Sequence, residues 1–164
     1  MIIVVKNKHT LLYDEFKFKC TIGKGGFSNN KKEGDKKTPR GLYRIGDLYY
    51  RSDRVEKPLT SIKCIKIKKN MGWCNDTKNK LKYNKRIKIG KNIKFEKLYR
   101  KDYKYNYFIP IKYNWHNPVS PKGSAIFMHL TKNYKPTAGC IALSEKDFLI
   151  LLKIIKKNSK IQIS

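Results

Sequence analysis

The stretch Phe16-Lys17-Phe18-Lys19-Cys20-Thr21-Ile22 puts an apolar side chain at every second position, with lysine or threonine between. Successive strand residues point to opposite faces, so this is the pattern of a β-strand with one face on a core and the other in water. The same reading extends in both directions. Met1-Ile2-Ile3-Val4-Val5-Lys6 reads as a strand, and Gly41 to Arg51 is again apolar and aromatic. Ile62 to Lys68 alternates isoleucine and lysine, with a slip of phase at Cys64-Ile65 that suggests a bulge. Ile87-Lys88-Ile89 and Ile93-Lys94-Phe95 are short strand candidates. Tyr105 to Tyr113 is β-rich, and Pro110, which has no N–H for a ladder, predicts an edge or bulged strand. Ser124 to Leu130 is apolar on both faces and predicts a buried strand. Gly23 to Pro39, Asn114 to Gly123 and Thr131 to Gly139 read as loops, and Asn70 to Tyr83 as irregular.

One helix stands out. Ser144 is placed to cap it, and Glu145 and Asp147 favour the positive end of its dipole. Phe148, Leu151, Leu152 and Ile155 share one face, and Ser159 to Ile163 follows as a last strand. The expectation is a mostly β fold with one packed C-terminal helix, in a single domain over residues 1–164 without internal repeats.

The composition bounds what such a domain does. With 164 residues, 40% of them hydrophobic, it can bury a core; a chain of this size buries about 68–70% of its unfolded surface. No apolar run approaches the ~18–20 residues of a membrane span. The N-terminus lacks the basic region and the apolar length of a signal peptide. That leaves a cytoplasmic protein, export by another route, or a start further upstream. The formal charge is +27, from 39 Lys and Arg against 12 Asp and Glu. Only six of those cations are Arg, the side chain best shaped for phosphate and guanine, and the lysines are scattered along the chain. A solvated lysine-rich surface is favoured over a nucleic-acid reader, with attraction to a polyanion as the alternative.

Four cysteines and three histidines carry the candidate chemistry. There is no Cys-x-x-Cys pair and the histidines are far apart, so a structural zinc site is not expected. Cys20 and Cys64 read as core packing, and Cys74, beside Trp73, as buried; any disulfide pairing stays open. Cys140 differs because it follows Gly139, which permits a tight turn and close approach of a ligand. Backbone N–H groups at Gly139 and Cys140 are candidates for an oxyanion hole. A nucleophilic thiol, whose free pKa is about 8.5, needs an imidazole or a positive field nearby. His129 is the candidate base, at the end of Ile126-Phe127-Met128-His129, and a strand, a loop and a return would place it beside Cys140. Tyr83, Tyr113 and Trp73 read as core rather than groove, His116 as exposed and His9 as peripheral.

Gly123-Ser124-Ala125-Ile126-Phe127-Met128-His129, followed by Pro136-Thr137-Ala138-Gly139-Cys140-Ile141-Ala142-Leu143, resembles the catalytic signature of the YkuD-type L,D-transpeptidase family. In that family a His precedes a [Ser/Thr]-x-Gly-Cys element. Thr38-Pro39-Arg40-Gly41-Leu42-Tyr43 resembles the family's Thr-Pro-x-Gly-x-aromatic segment, and the similarity spans roughly residues 20 to 163. Many members have a second His where this chain has Ala138, and an Arg where it has Ala142; the His-to-Cys spacing is also shorter than usual.

The resemblance implies an L,D-transpeptidase-like β-sandwich or barrel acting on peptidoglycan stem peptides, at the cell wall or in the periplasm. It implies Cys140 as nucleophile, His129 as base and Thr137 as an orienting group for the imidazole or the turn backbone. The expected product is a thioacyl-enzyme formed with loss of D-alanine and resolved by an amine to a 3→3 cross-link. No cofactor, metal or nucleic acid is implied. A carboxypeptidase or amidase with the same dyad, and a non-enzymatic basic polyanion-binding module, are the rival readings.

Overall fold

The computed structural model describes residues 1–164. The first eight strands are β1 (Ile2–Asn7), β2 (Thr10–Tyr13), β3 (Phe16–Thr21), β4 (Phe27–Ser28), β5 (Thr38–Pro39), β6 (Gly41–Arg44), β7 (Leu48–Tyr50) and β8 (Cys64–Lys66). There follow β9 (Met71–Cys74), β10 (Arg86–Lys88), β11 (Phe95–Lys97), β12 (Tyr107–Pro110), β13 (Phe127–Leu130), β14 (Ile141–Leu143), helix α1 (Glu145–Ile154) and β15 (Lys160–Ile163). Ten strands form one sheet in the order β6-β15-β1-β2-β3-β14-β13-β12-β7-β8. The sheet curls back on itself. Arg44, at the end of the edge strand β6, accepts a 2.9 Å hydrogen bond from Lys112 N just past β12, and Ile45 bridges Ile111. Closure of this kind hides the unpaired backbone that an open edge exposes.

The alternating strands bury the face the sequence indicates. Phe18 and Cys20 of β3, Leu11 of β2 and Ile3 of β1 enter one core with Met128, Leu143 and Ile161. Phe16 stays exposed, because it lies at the hairpin end of β3 opposite Tyr13. All four residues of β13 are buried, as a strand covered on both faces requires.

Two expectations are corrected. Residues 107–110 form an interior strand, not an edge: β12 lies between β13 and β7. Pro110 fits because β7 pairs only with Tyr107 and Phe108, so no ladder donor is required of the proline. Its carbonyl accepts from Gly46 N at 2.7 Å. The stretch from Asn70 is not wholly irregular either, since β9 is the central strand of a three-stranded sheet with β10 and β11. Gly72 obscured it, and the glycine is there for close approach: a Cβ would sit 2.9 Å from the Phe95 ring.

Helix α1 begins where the cap indicates. Ser144 accepts a hydrogen bond from Asp147 N at 3.1 Å, and Phe148, Leu151 and Leu152 are buried. The capped helix holds the chain immediately after β14 against the sheet, so the cap supports stability and not chemistry. Ser144→Ala is expected to lower unfolding free energy by about 1 kcal/mol in urea titration, with the reactivity of Cys140 unchanged.

Candidate active site

The turn before β14 is held by the backbone of Thr137, by a glycine and by two threonine hydroxyls. Thr137 N donates to Ile22 O and Thr137 O accepts from Lys24 N, both at 2.9 Å, which ties the turn to the end of β3. Gly139 has φ +140°, and a Cβ there would meet Lys37 O at 2.9 Å, so glycine is required. The buried Thr38 hydroxyl donates to Gly139 O at 2.8 Å and accepts from Gly23 N at 2.9 Å. The Thr38-Pro39 segment thus clamps the turn that presents Cys140.

Thr137 Oγ1 donates to Cys140 O at 2.6 Å and accepts from Gly139 N at 3.1 Å. It orders the turn backbone and does not touch the imidazole, which corrects one of its two expected roles. The Gly139 N–H, expected as an oxyanion donor, is already engaged by that hydroxyl. The Cys140 N–H makes no backbone hydrogen bond.

Cys140 and His129 come together through strand register. β14 lies parallel to β13, with Ala142 opposite His129. Cys140 is two residues before Ala142 and so falls on the same face as His129. The sulfur lies over the start of β13: it accepts from Phe127 N at 3.4 Å and its S–H donates to Ala125 O at 3.3 Å. Ala125 is itself held in a left-handed conformation, φ +52°. Asn84 Oδ1 accepts its N–H at 3.0 Å as well as Trp73 Nε1–H at 2.9 Å. His129 Nδ1 lies 2.9 Å from Leu130 O. A carbonyl oxygen only accepts, so Nδ1 carries the proton and Nε2 keeps its lone pair. The Tyr105 ring meets the imidazole edge-on, 5.5 Å between centroids.

Both groups rest neutral. Burial pushes the Cys140 thiol up to about 12, against a smaller lowering by the Phe127 N–H. Burial likewise holds His129 down to about 4, opposed by its bond to Leu130 and reinforced by Lys104 and Arg100. The expected lowering of the thiol pKa is therefore not found in the unliganded protein, because desolvation outweighs the surrounding positive charge.

Cys140 is 9% exposed and His129 6%, and both line a cavity of about 480 Å³. The other walls include Glu96, Arg100, Lys104, Tyr105 and Lys135, none of which the sequence singled out. Tyr105 OH donates to Glu96 Oε1 at 2.9 Å, and Arg100 bridges Glu96 at 3.3 Å and Asp102 at 2.5 Å. Glu96, Arg100 and Asp102 are charged residues outside any motif, and Tyr105 reads only as the start of a strand, so no sequence signal marked them as site residues. Ala138 and Ala142 line the same cavity with methyl groups.

The remaining candidates lie elsewhere. Trp73 and Tyr83 are buried and Tyr113 is half-buried against the core, as expected. His9 and His116 are exposed. Cys20 and Cys74 are buried, whereas Cys64 is only partly covered because it lies on the edge strand β8. All four cysteines are free thiols.

Comparison with characterised proteins and with solved structures returned no significant match. A family model described as the L,D-transpeptidase catalytic domain, YkuD, matches residues 1–163. With that match over essentially the whole chain and a curled, mostly β sheet to carry it, the protein belongs to the YkuD family of L,D-transpeptidase catalytic domains.

Proposed function

We propose that this chain is a peptidoglycan L,D-transpeptidase in which Cys140 is the nucleophile and His129 the general base. One observation carries the reading: Cys140, at the turn into β14, and His129, on the parallel neighbour β13 with its Nε2 unprotonated, line the same cavity.

The chemistry starts from the neutral pair. The thiol turns from Ala125 O toward Nε2 when a stem peptide enters. As sulfur bonds to the acyl carbon, the S–H proton passes to Nε2, and the developing oxyanion accepts from the Cys140 N–H. Such proton transfer contributes about 10²–10⁴ in rate, and a single oxyanion donor about 10²–10³. Collapse of the adduct expels D-alanine, whose amine takes the proton back from the imidazolium. The thioester is then attacked by an amine of a second stem, which restores the thiol and leaves a 3→3 cross-link. Attack by water in its place yields a carboxypeptidase outcome. A wall substrate places this work outside the cytoplasm.

Cys140→Ala is expected to abolish the covalent mass adduct with a carbapenem and all release of D-alanine from a tetrapeptide-stem muropeptide. An adduct that persists in Cys140→Ala would sink the assignment. His129→Gln is expected to slow acylation by at least about 10² while the fold, followed by circular dichroism, is retained.

The pH profile separates a neutral pair from an ion pair. His129 is held down to about 4, so it remains a competent base well below the ordinary histidine range. The acid limb of acylation is expected near that value, not near 6.5. The Cys140 thiol, pushed up to about 12, is expected to alkylate with iodoacetamide at a rate that still climbs where a free thiol of pKa about 8.5 would have levelled off. A plateau near neutral pH would show a preformed thiolate and refute the neutral resting state.

A further inference from the structure

In a chain of charge +27, the cavity that holds Cys140 contains one carboxylate, Glu96, among Arg100, Lys104 and Lys135. Its position is fixed from one side. Glu96 Oε1 accepts from Tyr105 OH at 2.9 Å and from Arg100 Nη1 at 3.3 Å. Oε2 has no partner within the protein, and the side chain is 30% exposed. Tyr105 connects this carboxylate to the reacting pair, since its ring also packs on the His129 imidazole and shares a buried cluster with Cys140.

A carboxylate here works against the nucleophile, because its field disfavours a thiolate at Cys140. It is of use to the other substrate. An acceptor amine, with a pKa near that of lysine at about 10.4, arrives as an ammonium ion. Lys104 and Lys135 on the cavity wall repel it, Arg100 is already paired with Glu96 and Asp102, and Glu96 is the single carboxylate of the lining that attracts it.

We propose that Glu96 is the acceptor-ammonium subsite of this enzyme, receiving the incoming –NH₃⁺ on Oε2 and selecting an amine over water to resolve the thioacyl-enzyme. The inference rests on the function proposed above. The ammonium gives up one proton to solvent. The free amine then attacks the thioester carbon, the C–N bond forms and the C–S bond breaks. His129 Nε2 takes the second N–H proton and delivers it to the departing sulfur. The balance is R–NH₃⁺ plus thioester to amide, thiol and H⁺.

The experiment follows product partition. Enzyme is acylated with a tetrapeptide-stem muropeptide and challenged with either a tripeptide-stem muropeptide bearing a free amine or hydroxylamine, which is uncharged above neutral pH. Intact mass reports the thioacyl species, and chromatography separates amide, hydroxamate and hydrolysis products. Glu96→Gln keeps an acceptor for the Tyr105 hydroxyl and removes the charge. It is expected to acylate no more slowly than wild type, because the charge that opposes the thiolate is gone, to need about tenfold more tripeptide acceptor to divert half the thioester from water, and to be diverted by hydroxylamine as readily as wild type. Glu96→Asp, which keeps the charge, is expected to stay within about threefold of wild type and serves if Glu96→Gln does not fold. An unchanged acceptor requirement in Glu96→Gln, or an equal loss for hydroxylamine, overturns the subsite. Absence of any thioacyl species on wild-type Cys140 overturns the underlying function and the subsite with it.

Discussion

The parallel pairing of β13 with β14 is the constraint on which the site depends. Parallel neighbours cannot be joined by a tight turn, and most are joined by a long crossover that includes a helix. Here the crossover is only residues 131–140, with no helix in it. So short a return is possible because its last turn is fastened at both ends. Thr137 is bonded to the end of β3, and Gly139 to the Thr38 hydroxyl. Once β14 is seated between β13 and β3, register alone determines that the sulfur and the imidazole face the same space.

Burial then determines the protonation of the pair. Desolvation disfavours both ions in this nearly full burial; the neighbouring cations offset only part of it for the thiolate, and they add to it for the imidazolium. The uncharged resting pair follows, with the S–H parked on Ala125 O and the imidazole N–H on Leu130 O. The arrangement keeps both groups hydrogen-bonded while no substrate is present, so neither is left as an unsatisfied buried polar atom. Asn84 contributes from outside the cavity. By accepting the Ala125 N–H it holds the left-handed residue whose carbonyl receives the thiol.

The charge distribution has two scales. Across the surface the excess of lysine makes a broad positive field that is screened by salt. Inside the cavity the balance is local. Arg100 is bound to Glu96 and Asp102, so it acts as a brace for the acidic group more than as a free cation. Ala138 and Ala142 leave room and no charge beside the sulfur.

How much of this was legible in the chain depends on the range of the interaction. The alternation over Phe18 to Cys20, the Ser144 cap and the apolar face of α1 are local patterns, and each is found in the structure, with Phe16 left exposed at the hairpin end. Gly139-Cys140 and His129 were likewise visible as residue types in a motif. What failed was non-local. Pro110 sits in an interior strand because its neighbour β7 ends before it, and β9 forms around a glycine that a distant phenylalanine covers. Glu96, Arg100 and Tyr105 reach the cavity from a segment that lies outside the motif and carries no pattern pointing to the site. Local patterning along the chain is enough to specify the β architecture, the helix and the two residue types that could exchange a proton. The tertiary structure decided their register, their neutral state and their single acidic neighbour, because burial and field strength depend on which distant segments pack around a group and not on its neighbours along the chain.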